Sequence, residues 1–247
     1  MNSSQPFPQF PLVASLDGAY EPSGPSSATL ESHLFSLQDR LRDADRVGDI
    51  KIRADLELQI ARTLVELGRG AEAWAVGRRA FEVFMTAADF ESAADVCSVL
   101  FLADQPQSQV ALGQGIWLGV TYPIDLDLTL ELLDQLIESV PAASDAAALA
   151  ATVCLFLIDL RAEESQRDDL MFFASQTLSR IAHRHGGVDS QQALDLWLER
   201  LGLNAPERFM ARLRVLVDSL VGEHWWFDRA VLQAELPAGS VEFDATE

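Results

Sequence analysis

From residue 28 to residue 236, apolar side chains return every three or four positions, and the runs are cut by glycine, proline or a short polar residue. That period is the helical one, since residues three and four apart share a helix face. No segment alternates strictly between apolar and polar with hairpin turns at its ends, the pattern a half-buried strand requires. The chain is therefore expected to be all-α. Leu30, Leu34, Leu37 and Leu41 mark the first helix, and Leu56, Ile60, Leu64 and Leu67 the second. Gly68 ends the second, because glycine accepts the left-handed conformation of a helix C-terminus. Asp89 opens a later helix as its cap, and Ser144 or Asp145 another. Pro106 begins a helix reaching about Gly119, and a further one stops before Pro141. Gly186 and Gly187 end the helix that holds His183 and His185, Asp189 or Ser190 caps the next, and Pro206 falls in a first turn. A short last helix is expected over residues 223–236. About ten helices with short connectors pack as antiparallel hairpins, stacked as a solenoid or a bundle.

The ends read differently. Residues 1–27 hold five prolines among serines and glycines, so an irregular arm is expected there, carrying Phe7, Phe10, Leu12 and Val13. Residues 237–247 read as a short acidic tail, which leaves 28–236 as one helical, repeat-like domain. Apolar residues make up 49% of the chain, ample for a core. The charge balance excludes more than it proves. With 38 acidic against 18 basic residues, the net charge of −20 repels phosphate backbones and anionic lipid surfaces alike. Nucleic acid is thus not expected as a partner, and a basic protein surface fits better. The longest apolar run, Ala146 to Ile158, falls short of the roughly 20 residues a membrane span needs. Prolines break the N-terminus where a signal peptide needs an apolar core. Cys97 and Cys154 each sit in an apolar helical run and are expected as small buried hydrophobes, so a reducing, cytoplasmic location is the default.

Within the helical region, residues 54–87 resemble a tetratricopeptide repeat, a two-helix unit of 34 residues. Ile60, Ala61 and Leu64 follow its large, small, large order. Gly68 falls at its turn, and Ala73 and Ala80 fall at the small positions of its second helix. Three positions depart from it: Glu57 stands for an early tryptophan, Gly77 for an aromatic residue, and Met85 for a closing proline. A second turn of the same kind, "AADFESAADV", follows only about 20 residues later, which makes the array degenerate. The resemblance implies a concave face that binds other proteins, carried on the first helix by Asp55, Gln59, Arg62 and Glu66. These four recur at three- and four-residue steps, and a solvated helix face accounts for the same spacing.

The phrases "GIWLGVTYPIDLDLTLELLDQL", "IDLRAEESQRDDLMFFASQTL" and "WWFDRAVL" are similar to segments of small acidic helical proteins in bacterial [NiFe]-hydrogenase gene clusters. That resemblance covers about residues 90–236. It implies an accessory or assembly role toward a hydrogenase subunit, and no metal ligand in this chain.

Chemistry finds little purchase. In "GQGIWLG" the third glycine comes one place late for a dinucleotide loop and no strand precedes it, so close helix packing explains Gly113, Gly115 and Gly119. His183 and His185, two apart on a helix, point about 200° from each other and suit a helix C-terminus instead of a metal. The pairs Asp125–Asp127, Glu163–Glu164 and Asp168–Asp169 read as a solvated acidic flank, able to steer a basic partner. Adjacent tryptophans on one helix cannot both face one core, so Trp225 and Trp226 are candidate interface anchors. The ring of Tyr122, in the turn before Pro123, lines a groove or staples two helices. The sequence thus supports a non-catalytic adaptor or assembly chaperone without a cofactor. The alternative is an enzyme or small-ligand binder built in a helical bundle.

Overall fold

The structure, a computed structural model, describes residues 25–236, and among these it contains eleven α-helices and no strand. They are α1 (Ser27–Val47), α2 (Ile50–Glu66), α3 (Gly70–Thr86), α4 (Phe90–Leu102), α5 (Ser108–Thr121), α6 (Leu126–Ser139), α7 (Asp145–Arg161), α8 (Glu164–Gly186), α9 (Gln191–Leu201), α10 (Pro206–Val221) and α11 (Arg229–Ala234). Phe7, Phe10, Leu12, Val13 and the tail 237–247 lie outside the described residues. The described chain divides into two compact units, one formed by 25–132 with 217–236 and the other by 133–216. The divisions fall inside α6 and α10.

In the first unit each helix packs on the next from α1 to α5, and α2 also meets α4. Local chemistry sets the turns. Asp49 caps α2 by accepting from the Lys51 and Ile52 N–H groups, and Asp89 caps α4 by accepting from Ser92. Gly68 takes φ +71° after α2, and the Arg69 N–H then reaches the Leu64 carbonyl at 2.8 Å. Ala88 and Asp104 take the same left-handed conformation after α3 and α4, at φ 54° and 50°, although neither is glycine.

α5 is buried on all sides, and its glycines let neighbours come close. A Cβ on Gly115 would stand 2.8 Å from the Cys97 Cβ and 2.9 Å from Leu132, and one on Gly113 would stand 2.6 Å from Val221. Helix packing is therefore the role of this glycine-rich stretch. Glu57 is 1% exposed and held by Arg79 at 3.1 Å and Arg53 at 3.4 Å. At Gly77 a Cβ would meet Leu100 at 2.9 Å, so no aromatic side chain fits there.

The second unit forms around α7, buried continuously from Ala147 to Leu155 and again at Leu157 and Ile158. α7 and α8 make a hairpin. At the other end of α7, Asp145 accepts from His185 Nε2 at 3.0 Å and from Arg212 at 3.0 Å, while Trp197 Nε1–H donates to His185 Nδ1 at 3.1 Å. These bonds fix the imidazole tautomer and tie α7, α8, α9 and α10 together. His183 sits in the last turn of α8 and bonds the Val188 carbonyl at 3.3 Å. Cys97 and Cys154 are both buried and free, and burial pushes both thiols far above their ordinary range.

The last helix departs from expectation. Residues 224–228 are not helical, and α11 spans only Arg229–Ala234. Asp228 decides the start by accepting from the Ala230 and Val231 N–H groups, and Gly222, at φ +58°, has already ended α10.

Candidate functional site: an acidic trough

Three helices of the first unit enclose an open trough of about 330 Å³. α2 supplies Arg62, α4 supplies Glu91, Ser92 and Asp95, and the start of α6 supplies Asp125, Asp127, Leu128 and Glu131. Hydrogen bonds set the walls. The Asp125 N–H donates to Glu91 Oε2 at 3.0 Å, and the Asp125 carboxylate accepts from the Leu128 N–H at 2.9 Å, which caps α6. The Ser98 hydroxyl donates to Glu131 Oε1 at 2.7 Å. Arg62 pairs with Asp95 across α2 and α4.

Five carboxylates thus line the trough with a single guanidinium. Burial raises the Asp95 pKa above the ordinary carboxylate range; Arg62 pulls it down, and Glu131 and Glu91 push it up again. Partly desolvated like charges of this kind are relieved when a cation enters. Among the described residues, no group of three His, Cys, Asp or Glu side chains is placed to hold a metal ion.

Of the residues expected on the concave face, the structure brings Arg62 into the trough. Gln59 and Glu66 are exposed on the same helix and Asp55 is half-buried, but none of the three lines it. Tyr122 is a staple: its ring stacks on Phe90 at 3.9 Å and meets Trp117 edge-on at 6.1 Å, and its hydroxyl donates to the Leu232 carbonyl at 3.4 Å.

Trp225 and Trp226 occupy a second feature, an aromatic seat on the α3 and α5 side. Because residues 224–228 leave the helix, both rings and Phe227 find partners. Trp226 lies 5.0 Å from Phe81 and 6.0 Å from Trp74, with the Arg78 guanidinium 3.8 Å above it. Its backbone N–H donates to the buried Gln114 Oε1 at 2.8 Å. Trp225 meets Trp117 at 6.2 Å and carries the Arg229 guanidinium at 4.0 Å. Phe227 packs 5.2 Å from Trp117. All three rings remain half-buried.

With family models, curated proteins and solved structures, the chain shares no match. Its site therefore rests on its own geometry. Sequence reasoning named Arg62 and noted Asp125 and Asp127, but missed Glu91, Asp95 and Glu131 as members of one site. A signal was present: Glu91 and Asp95, and likewise Asp127 and Glu131, stand four residues apart and so share a face of α4 and of α6. Among the described residues no helix is long and apolar enough to cross a membrane.

Proposed function

We propose that this chain is a non-catalytic, protein-binding adaptor or assembly chaperone whose acidic trough takes a basic segment of its partner. The observation that supports this reading is the convergence of Glu91, Asp95, Asp125, Asp127 and Glu131 around a single arginine, from α2, α4 and the start of α6. A lysine or arginine side chain entering the trough replaces repulsion between carboxylates with charge-assisted hydrogen bonds. The trough is open, so an extended segment enters without threading. The surrounding charge of −20 speeds encounter with a cationic surface at low salt. The resemblance to accessory proteins of [NiFe]-hydrogenase clusters makes a hydrogenase subunit the first client to test.

The experiment measures binding of a labelled arginine-rich peptide by fluorescence anisotropy, at low and at physiological salt. The reading expects affinity that falls with salt and falls about tenfold in an Asp95→Asn/Glu131→Gln variant, the order set by removing two close charges. Binding that ignores both salt and the variant would sink it. A tagged pull-down from the native host then asks whether a hydrogenase subunit is retained at low salt and lost as salt rises.

A further inference from the structure

α8 carries a solvent-facing stripe whose chemistry reverses from one end to the other. Asp169, Phe173, Gln176 and Arg180 follow one another at three- and four-residue steps and share one face, which Phe172, three residues after Asp169 and four before Gln176, widens on one side. Phe172 and Phe173 are 43% and 65% exposed, and their rings meet edge-on at 5.6 Å. Exposed aromatic pairs of this kind are interface anchors more often than ordinary surface. Asp169 is exposed on the N-terminal side of the rings. On their C-terminal side Arg180 is exposed as well, its guanidinium donating to Thr177 Oγ1 at 3.5 Å.

The order is acid, aromatic pair, amide, base, and its midpoint falls between Ala174 and Ser175, close to the middle of a helix that runs from Glu164 to Gly186. Reflected through that midpoint, position 169 falls on 180 and position 173 on 176. A second α8 laid antiparallel on the first therefore sets Asp169 against Arg180 twice and each Phe173 against a Gln176. A stripe complementary to its own reverse fits a two-fold, isologous contact, in which one patch serves both subunits.

We propose that the α8 stripe is a homodimer interface, in which a second copy of this chain docks antiparallel on α8, with the Phe172–Phe173 pairs at the centre and reciprocal Asp169–Arg180 pairs at the flanks. The contact is a single helix pair between molecules of net charge −20, so association is weak and needs salt to screen the overall repulsion. At about 0.15 M salt the screening length is about 8 Å, which suppresses distant repulsion and spares contacts at hydrogen-bond range.

The test is sedimentation of the full chain from about 1 to 200 µM at that ionic strength, the range over which a small interface populates a dimer. Wild type is expected to shift toward dimer with concentration, and Phe173→Glu to stay monomeric. Asp169→Arg and Arg180→Asp are each expected to be monomeric alone. Their equimolar mixture restores the dimer, because both flanking pairs re-form between the two variants. All three positions are exposed, and helical circular dichroism confirms that each variant is folded. A wild type that stays monomeric throughout overturns the proposal. So does a dimer indifferent to the single swaps, or single swaps whose mixture stays monomeric.

Discussion

Two faces of the first unit's hairpin array, carried by different helices, are used in opposite ways. On the α3 and α5 face, Trp74, Phe81 and Trp117 are met by the chain's own residues 225–227, so aromatic surface is satisfied internally. On the α2, α4 and α6 face, carboxylates are left around an open trough. The first face spends its chemistry on holding the unit together, because buried aromatic area and a capped backbone N–H stabilise the fold. The second is held by its own hydrogen bonds and the Arg62–Asp95 pair, yet burial and the neighbouring Glu91 and Glu131 still work against the Asp95 charge. A candidate binding surface is thus recognisable where a charge is kept although its surroundings oppose it.

Substitutions should separate the two faces. Trp226→Ala removes the ring between Arg78, Phe81 and Trp74 and should cost about 3 kcal/mol in urea-induced unfolding; a loss below about 1 kcal/mol would make the seat ornamental. Gln114→Leu keeps the volume but strands the Trp226 N–H, and a loss of about 2 kcal/mol is expected in the same assay. Ala88→Gly relieves a left-handed alanine at the α3–α4 turn and should gain about 0.5 to 1 kcal/mol, read as a higher denaturation midpoint. The trough variant Asp95→Asn/Glu131→Gln should move stability least, within about 0.5 kcal/mol, while changing peptide affinity.

The pH dependence sharpens the contrast. The folded state raises the Asp95 pKa, so the stability this group contributes is present at low pH and is lost as pH rises through its folded pKa. A cationic partner favours ionised Asp95, so affinity should instead rise over that interval. Comparing wild type with Asp95→Asn by denaturation and by anisotropy should show opposite slopes that both flatten in the variant. Parallel slopes would mean that Asp95 does not meet the partner.

Helices were legible in the sequence where one local rule sufficed. Gly68, Asp89, Ser144 and Ser190 act at the turns and caps their chemistry suggested. The packing role of Gly115 followed once the glycine spacing missed that of a dinucleotide loop and no strand preceded it. The segment 224–228 was misread because its residues are compatible with a helix, and its competing contacts lie more than 100 positions earlier, at Gln114 and Phe81. Buried Glu57 was invisible for a like reason: Arg79, its partner, comes from the next helix. The trough joins Arg62 to Asp95 and Glu131, and no periodicity on one helix reports which faces of α2, α4 and α6 align.

The seat is closed by residues 225–227, which the ribosome makes about 100 positions after Trp117. At roughly 5–20 residues per second, that interval lasts about 5 to 20 s. Throughout it, the indole and phenyl rings of a nearly finished hairpin array stand uncovered. A nascent chain halted before residue 225 would therefore present Trp74, Phe81 and Trp117 without the rings that meet them in the folded unit, a sticky surface of the kind chaperones recognise.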